Sequence, residues 1–217
     1  MTYAGDVTID NNYDAIDNIN ITTENGSMTL NGYIKSKKDV QLTSDENVIA
    51  NRTIEGANVD VNAVGNVTFN DSVTAIESGD INVSTTNGSI ATSTQGILMA
   101  RNVILNSNEN VVLRARADAE KDINIEAGQD IRFTEELKAG TEMNLITETG
   151  TITGSGPISA NAGNLTIRSN AIGTALTAED NSIDIDGTIT NTLPVLKKYC
   201  KINVSRKRYI FIWRKYR

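Results

Sequence analysis

The chain has 217 residues, 39% of them hydrophobic and only 5% aromatic, and a formal net charge of −7. It is long enough for a core, but one made of Val, Ile and Leu in thin layers. It contains no His and a single Cys, which excludes Ser-His-Asp and Cys-His machinery, His-containing zinc sites and any internal disulfide.

From the N-terminus onward one pattern repeats. The pair Ile19/Ile21 returns as Val40/Leu42, Val59/Val61, Ile81/Val83, Val103/Leu105, Ile123/Ile125, Met143/Leu145, Leu165/Ile167 and Ile183/Ile185, at intervals of 18 to 22 residues. A second pair follows most of these 8 or 9 residues later: Met28/Leu30, Val48/Ala50, Val67/Phe69, Ile90/Thr92, Val111/Leu113, Ile131/Phe133 and Ile152/Gly154, with Val7/Ile9 as the earliest copy. A single apolar residue then closes each unit: Tyr13, Ile34, Ile54, Val73, Ile97, Ala117, Leu137 or Ile158. Within each pair the period is two, which places the outer residues on one face of a strand and the middle one on the other. Only 114–121, rich in Ala and Arg, hints at helical spacing.

Three short strands per unit of about 20 residues cannot bury a face alone. Stacked in parallel at about 4.8 Å per step, they predict an all-β, right-handed, single-stranded parallel β-helix, a solenoid of eight to nine coils and a rod on the order of 43 Å long. The turns agree. Asn18, Asp39, Asn58, Asp80, Asn102, Asp122, Glu142, Asn164 and Ser182 precede the first strands, mostly residues whose side chains bond their own backbone two residues on. Gly5, Gly26, Gly65, Gly88 and Gly150 precede second strands, where positive φ is expected.

Residues 1–194 are read as the repeat domain and 195–217 as a basic, aromatic tail. The last 21 residues hold nine Lys or Arg and no acid, against −16 for the preceding 196. They also hold Cys200, Trp213 and half of the tyrosines, follow Pro194, and show no repeat beat. Three readings stand open: a tail binding an anionic membrane or nucleic acid through its cations with Tyr209, Phe211, Trp213 and Tyr216; a cap on the open end of the rod; or an out-of-frame segment. Nucleic acid is not the expected partner, and membrane contact is expected only through this tail.

The N-terminus enters the repeat within six residues, without the basic and apolar stretches of a signal peptide or a transmembrane span, so neither is expected. Phrases such as Gly79-Asp80-Ile81-Asn82-Val83, Lys121-Asp122-Ile123-Asn124-Ile125-Glu126-Ala127-Gly128-Gln129-Asp130-Ile131 and Gly163-Asn164-Leu165-Thr166-Ile167 resemble the β-helical repeats of filamentous haemagglutinin-type adhesins over about residues 5–190. That resemblance implies a large bacterial exoprotein exported by two-partner secretion, whose rod carries adhesive or toxic modules away from the cell. Its members begin with a signal peptide and a secretion domain, and neither is expected in the sequence as it stands. The implied location is the bacterial surface or medium, as part of a longer exported protein, and the implied partners are host or cell-surface glycans and proteins. Neighbouring coils of a longer chain, or end-to-end copies of this one, are expected at the strand edges.

Polysaccharide-cleaving enzymes of the pectate lyase kind share the shape, so the fold does not exclude catalysis. Glycoside hydrolysis needs two carboxyl groups about 5–5.5 or 6.5–9.5 Å apart. The outward column of the first strands reads Asn20, Gln41, Asp60, Asn82, Ile104, Asn124, Asn144, Thr166 and Asp184, and its two acids stand six coils apart, roughly 29 Å at about 4.8 Å per coil. Asp180, Asp184 and Asp186, with Glu179, form the densest acidic set; a solvated turn is the expected reading beside weak binding of a hard cation. Catalytic residues, cofactors and metals are therefore not expected. The outward Asn column and Thr8, Thr29, Thr68 and Thr153 are read as structural ladders before weak glycan contacts. Asn-x-Ser/Thr triplets at Asn20, Asn25, Asn51, Asn66, Asn70, Asn82, Asn87 and Asn164 are attributed to composition.

Overall fold

The computed structural model describes residues 1–178 and the backbone strands 183–189 and 202–204, with side chains described through Ser169. Pro194, Glu179, Asp180, Ser182 and most of the Lys197–Arg217 tail, with Cys200, Tyr209, Phe211, Trp213 and Tyr216, lie outside the described residues, as do the side chains of Asp184 and Asp186. Every strand pairing is parallel, and the chain is a β-solenoid of about eight turns with roughly 21 residues per turn and no helix among the described residues. It follows that no described helix is long and apolar enough to cross a membrane.

Three stacks of strands form the three faces. The first runs through Ile19–Glu24, Val40–Ser44, Val59–Ala63, Asp80–Thr85, Asn102–Ser107, Ile123–Ala127 and Met143–Thr147, with Ile19 opposite Val40, Val40 opposite Val59 and so on, as the repeat predicts. The second begins at Val7–Ile9 and passes through Val67–Phe69 to Ile131–Phe133; the third begins at Tyr13–Ala15 and reaches Leu137–Ala139. The inward aliphatic residues of all three stacks make one core cluster, most of them without solvent exposure. Within 114–121 only Ala117–Ala119 is strand, preceded by a bend; Ala115, Ala117 and Ala119 are buried and Arg114 and Arg116 exposed, an alternation of period two rather than that of a helix.

Four details differ from the sequence reading. Leu98, not Ile97, pairs opposite Val73, because a tight turn across Ser93–Gly96 adds a residue before the third strand. The third strands also carry a second inward column of small residues, Ala15, Ser36, Gly56, Ala75, Ala100, Ala119, Ala139 and Ala160, at the corner where the coil turns back to the first face. Among the described residues only Gly5 is a glycine with positive φ; the others serve close approach, a Cβ at Gly26 falling 2.2 Å from the Gly5 carbonyl carbon. Finally, the basic tail has a repeat beat after all: the strand Ile202–Val204 pairs in parallel with Ile183–Ile189, Ile202 opposite Ile183.

The register also exposes a longer period. Ile19-Asn20-Ile21-Thr22-Thr23-Glu24-Asn25-Gly26-Ser27 returns three coils and 62 residues later as Ile81-Asn82-Val83-Ser84-Thr85-Thr86-Asn87-Gly88-Ser89, and after another 62 as Met143-Asn144-Leu145-Ile146-Thr147-Glu148-Thr149-Gly150-Thr151. The intervening coils match too, Leu42-Thr43-Ser44-Asp45-Glu46-Asn47-Val48 with Leu105-Asn106-Ser107-Asn108-Glu109-Asn110-Val111, and Phe69 with Phe133. Hydrogen bonds repeat with the residues: Ser27 Oγ donates to Glu46 Oε2 at 2.9 Å and Ser89 Oγ to Glu109 Oε2 at 3.1 Å.

Candidate functional site

The residues before the first strands act between coils rather than within one. Asp39 N–H donates to Asn18 Oδ1 at 3.3 Å, Asn58 N–H to Asp39 Oδ1 at 3.2 Å, Asp80 N–H to Asn58 Oδ1 at 3.0 Å, Asp122 N–H to Asn102 Oδ1 at 3.2 Å and Glu142 N–H to Asp122 Oδ1 at 3.0 Å. This corrects the local-turn expectation: side chains stacked at one coil step reach the next coil's amide more readily than their own. A second ladder precedes the second strands, where Asn66 N–H donates to Asn47 Oδ1, Ser89 N–H to Asn66 Oδ1, Asp130 N–H to Asn110 Oδ1 and Thr151 N–H to Asp130 Oδ1, at 2.8 to 3.1 Å. Asn31, Asn51 and Asn70 make an amide ladder after the second strands, and on the outward first-face column Asn82 bonds Asp60 and Asn144 bonds Asn124. Of the Asn-x-Ser/Thr triplets, Asn51, Asn66, Asn70 and Asn82 thus have their side chains engaged.

Two carboxyls in these ladders titrate below their ordinary range. Burial pushes Asp80 up, but hydrogen bonds from Arg101 and Asn102 outweigh it, Arg101 Nη2 lying 2.8 Å from Asp80 Oδ2. Asp130 is held down first by the Thr151 backbone N–H and, against burial, by Arg132 and the Thr151 hydroxyl.

The last inward position of each first strand is polar in most coils. Thr23, Ser44, Thr85, Ser107, Thr147 and Ser169 are all buried, with Ala63 and Ala127 in the same column. Their hydroxyls bind turn carbonyls: Thr85 Oγ1 donates to Gly88 O at 2.7 Å, Ser107 Oγ to Gly88 O at 2.8 Å and Asn110 O at 3.2 Å, and Thr147 Oγ1 to Gly150 O at 3.2 Å. Each buried hydroxyl is therefore satisfied.

Over the second half of this column runs a groove of about 730 Å³, from Thr85 to Ser169. The exposed or half-buried row Asn106, Glu126, Ile146 and Arg168 flanks it on one side, four residues opposite one another in register; Thr86, Asn108, Gly128 and Glu148 flank it on the other. Gly128 opens its middle. One unit earlier the equivalent position is Val64, 39% exposed, whereas a Cβ at Gly128 would meet the Asn108 carbonyl oxygen at 2.1 Å. The groove puts Glu126 and Glu148 together in adjacent coils. The second-position column read from the sequence does not contain them, because they fall on the fourth and sixth positions of their coils. Aligning all outward positions, not one column, would have found them.

Among the described residues no group of three or more His, Cys, Asp or Glu side chains is placed to hold a metal ion. Fold and ladders define a parallel β-solenoid. No family model matches the chain, and neither a curated protein nor a solved structure matches it.

Proposed function

We propose that the chain is a non-catalytic rod or adhesive segment of a large bacterial surface or secreted protein of the filamentous haemagglutinin type, exported as part of a longer polypeptide. The observation that carries this reading is the set of coil-to-coil side-chain ladders, which run the length of the described rod and commit its turn acceptors to neighbouring coils. Such a molecule displays and contacts; it holds a shape under load. Its partners are glycans or proteins of a cell surface. The test is attachment: beads carrying the chain should bind host cells above beads carrying an unrelated solenoid of equal charge, and equal retention of the two would refute the adhesive reading.

A second reading, a polysaccharide-active β-helix, draws on the Glu126 and Glu148 carboxylates sharing one groove in adjacent coils, about 4.8 Å apart along the rod axis. Release of reducing ends, or of unsaturated products, from a polysaccharide panel, lost in Glu126→Gln and Glu148→Gln, would establish it.

A further inference from the structure

We infer that the groove between Thr85 and Ser169 is a binding site for an extended glycan strand that carries no carboxylate. The inference rests on the reading of this rod as a contact surface and names what one part of it contacts.

The size fits. About 730 Å³ lies within the roughly 300–1,000 Å³ typical of ligand sites, and the groove crosses five stacked coils. Four steps of about 4.8 Å give about 19 Å, room for about four pyranose rings in line with the rod. The lining supplies what sugar hydroxyls recognise: the amides of Asn106 and Asn108, the acceptors Glu126 and Glu148, and the guanidinium of Arg168. None of these five side chains has a hydrogen-bond or ion-pair partner among the described residues, in contrast to the laddered Asn and Asp of the turns. Half-buried Ile146 offers one apolar surface for the C–H face of a ring.

Charge chooses among glycans. Two carboxylates and one guanidinium line the groove, Glu126 and Arg168 on one side and Glu148 on the other, so a polyuronate would bring like charges together, whereas a neutral or amino-bearing sugar would not. An extended peptide fits less well. Strand addition works through free backbone edges, and here the groove's amides are already paired to the coil below: Gly128 N–H to Ser107 O at 2.9 Å, Glu148 N–H to Ala127 O at 3.0 Å and Thr149 N–H to Gly128 O at 3.2 Å.

The test is titration of the ¹⁵N-labelled full chain with chitotetraose, cellotetraose, tetragalacturonic acid and a strand-forming peptide. Saturable shifts at Asn106, Asn108, Glu126 and Gly128 with a neutral tetrasaccharide are expected, with tetragalacturonic acid about tenfold weaker. Glu126→Gln and Glu148→Gln, both exposed, should leave the spectrum of the rod otherwise unchanged and narrow that tenfold gap. No saturable shift with either neutral sugar, shifts on another face, tighter binding of the polyuronate, or occupation by the peptide would each overturn the inference. The adhesive reading fails separately: if the beads do not bind cells while the groove binds sugar, only that reading falls, and if they bind cells with the groove empty, only this one does.

Discussion

Phe133 and Gly154 are neighbours in one inward column, and their fit can be measured. Phe133 is 2% exposed, and a Cβ at Gly154 would stand 2.2 Å from its Cε2 and Cζ atoms, so the ring occupies the space that a side chain in the next coil would otherwise fill. Phe133→Ala removes the ring and should cost about 3–5 kcal/mol. Gly154→Ala alone forces the ring aside and should cost about 1–3 kcal/mol, less about 0.5–1 kcal/mol regained from a stiffer unfolded chain. In the double variant the clash is gone and the new methyl enters the vacated volume, so Gly154→Ala becomes neutral or stabilising by about 1 kcal/mol. The cycle should therefore show a coupling of about 2 kcal/mol in the compensating direction. Urea unfolding followed by circular dichroism measures it, provided the slopes of the four proteins agree. Additivity to within about 0.5 kcal/mol would refute the packing argument.

Three further outcomes follow from the ladders and the repeat. Ser107→Ala loses a buried hydroxyl but leaves its carbonyl partners bonded to backbone N–H groups, as Gly88 O is to Glu109 and Asn110 O to Ile90, so it should cost only about 0.5–1.5 kcal/mol in the same unfolding assay; a loss above about 3 kcal/mol would contradict that assignment. Asp80 and Asp130 have folded pKa values below their unfolded ones, so their stabilisation is complete above the unfolded value near about 3.9 and is lost as pH falls through the folded value. Asp130→Asn keeps an acceptor for the Thr151 N–H and should flatten the acid limb of a stability-against-pH curve, whereas an unchanged limb would remove Asp130 from the account. Deleting residues 81–142 joins equivalent points of the 62-residue unit and should leave a soluble, cooperatively unfolding rod three coils shorter, while deleting 81–132 breaks the register and should yield aggregated protein; similar behaviour of the two would show the longer period to be without structural weight.

The core was legible because its signal is redundant. Ile19/Ile21 and its copies state the first face nine times over, and a one-residue slip in any coil would turn aliphatic side chains outward. Features that lack that redundancy, or that run against polarity, are not legible in the sequence. The buried hydroxyls of Thr85 and Ser107 occupy inward positions that hydropathy assigns to the surface, and only their contact with Gly88 O explains them. The small third column, from Ala15 to Ala160, is set by the tightness of a corner: at Gly56 a Cβ would stand 2.9 Å from Val40 Cγ2. Ile97 and Leu98 are both apolar, so the sequence alone does not distinguish the inward residue, and a single inserted turn residue decides for Leu98. Glu126 and Glu148 were visible as letters, but which pairs of letters are neighbours depends on a register that only the stacked coils fix.

The groove's place on the rod has a physical reason. In this solenoid an outward polar side chain, on a strand or at a turn, has two options, a group one coil away or solvent, and the neighbouring coil's residue selects between them. Asn beneath Asn gives a ladder, as with Asn51 on Asn31 and Asn70 on Asn51. In the row Asn106, Glu126, Ile146 and Arg168 the apolar Ile146 stands between the carboxylate and the guanidinium and no side-chain bond links neighbours, so the ladder is interrupted and the polar side chains face outward. Beside them the sequence Asn108, Gly128, Glu148 removes one side chain altogether. Loss of repetition and loss of a Cβ thus coincide in one stretch, where the preceding unit has Val64. A rod that keeps its repeats for stability can present a recognition site only where they are broken, and this stretch of the described chain breaks them on both sides of one groove.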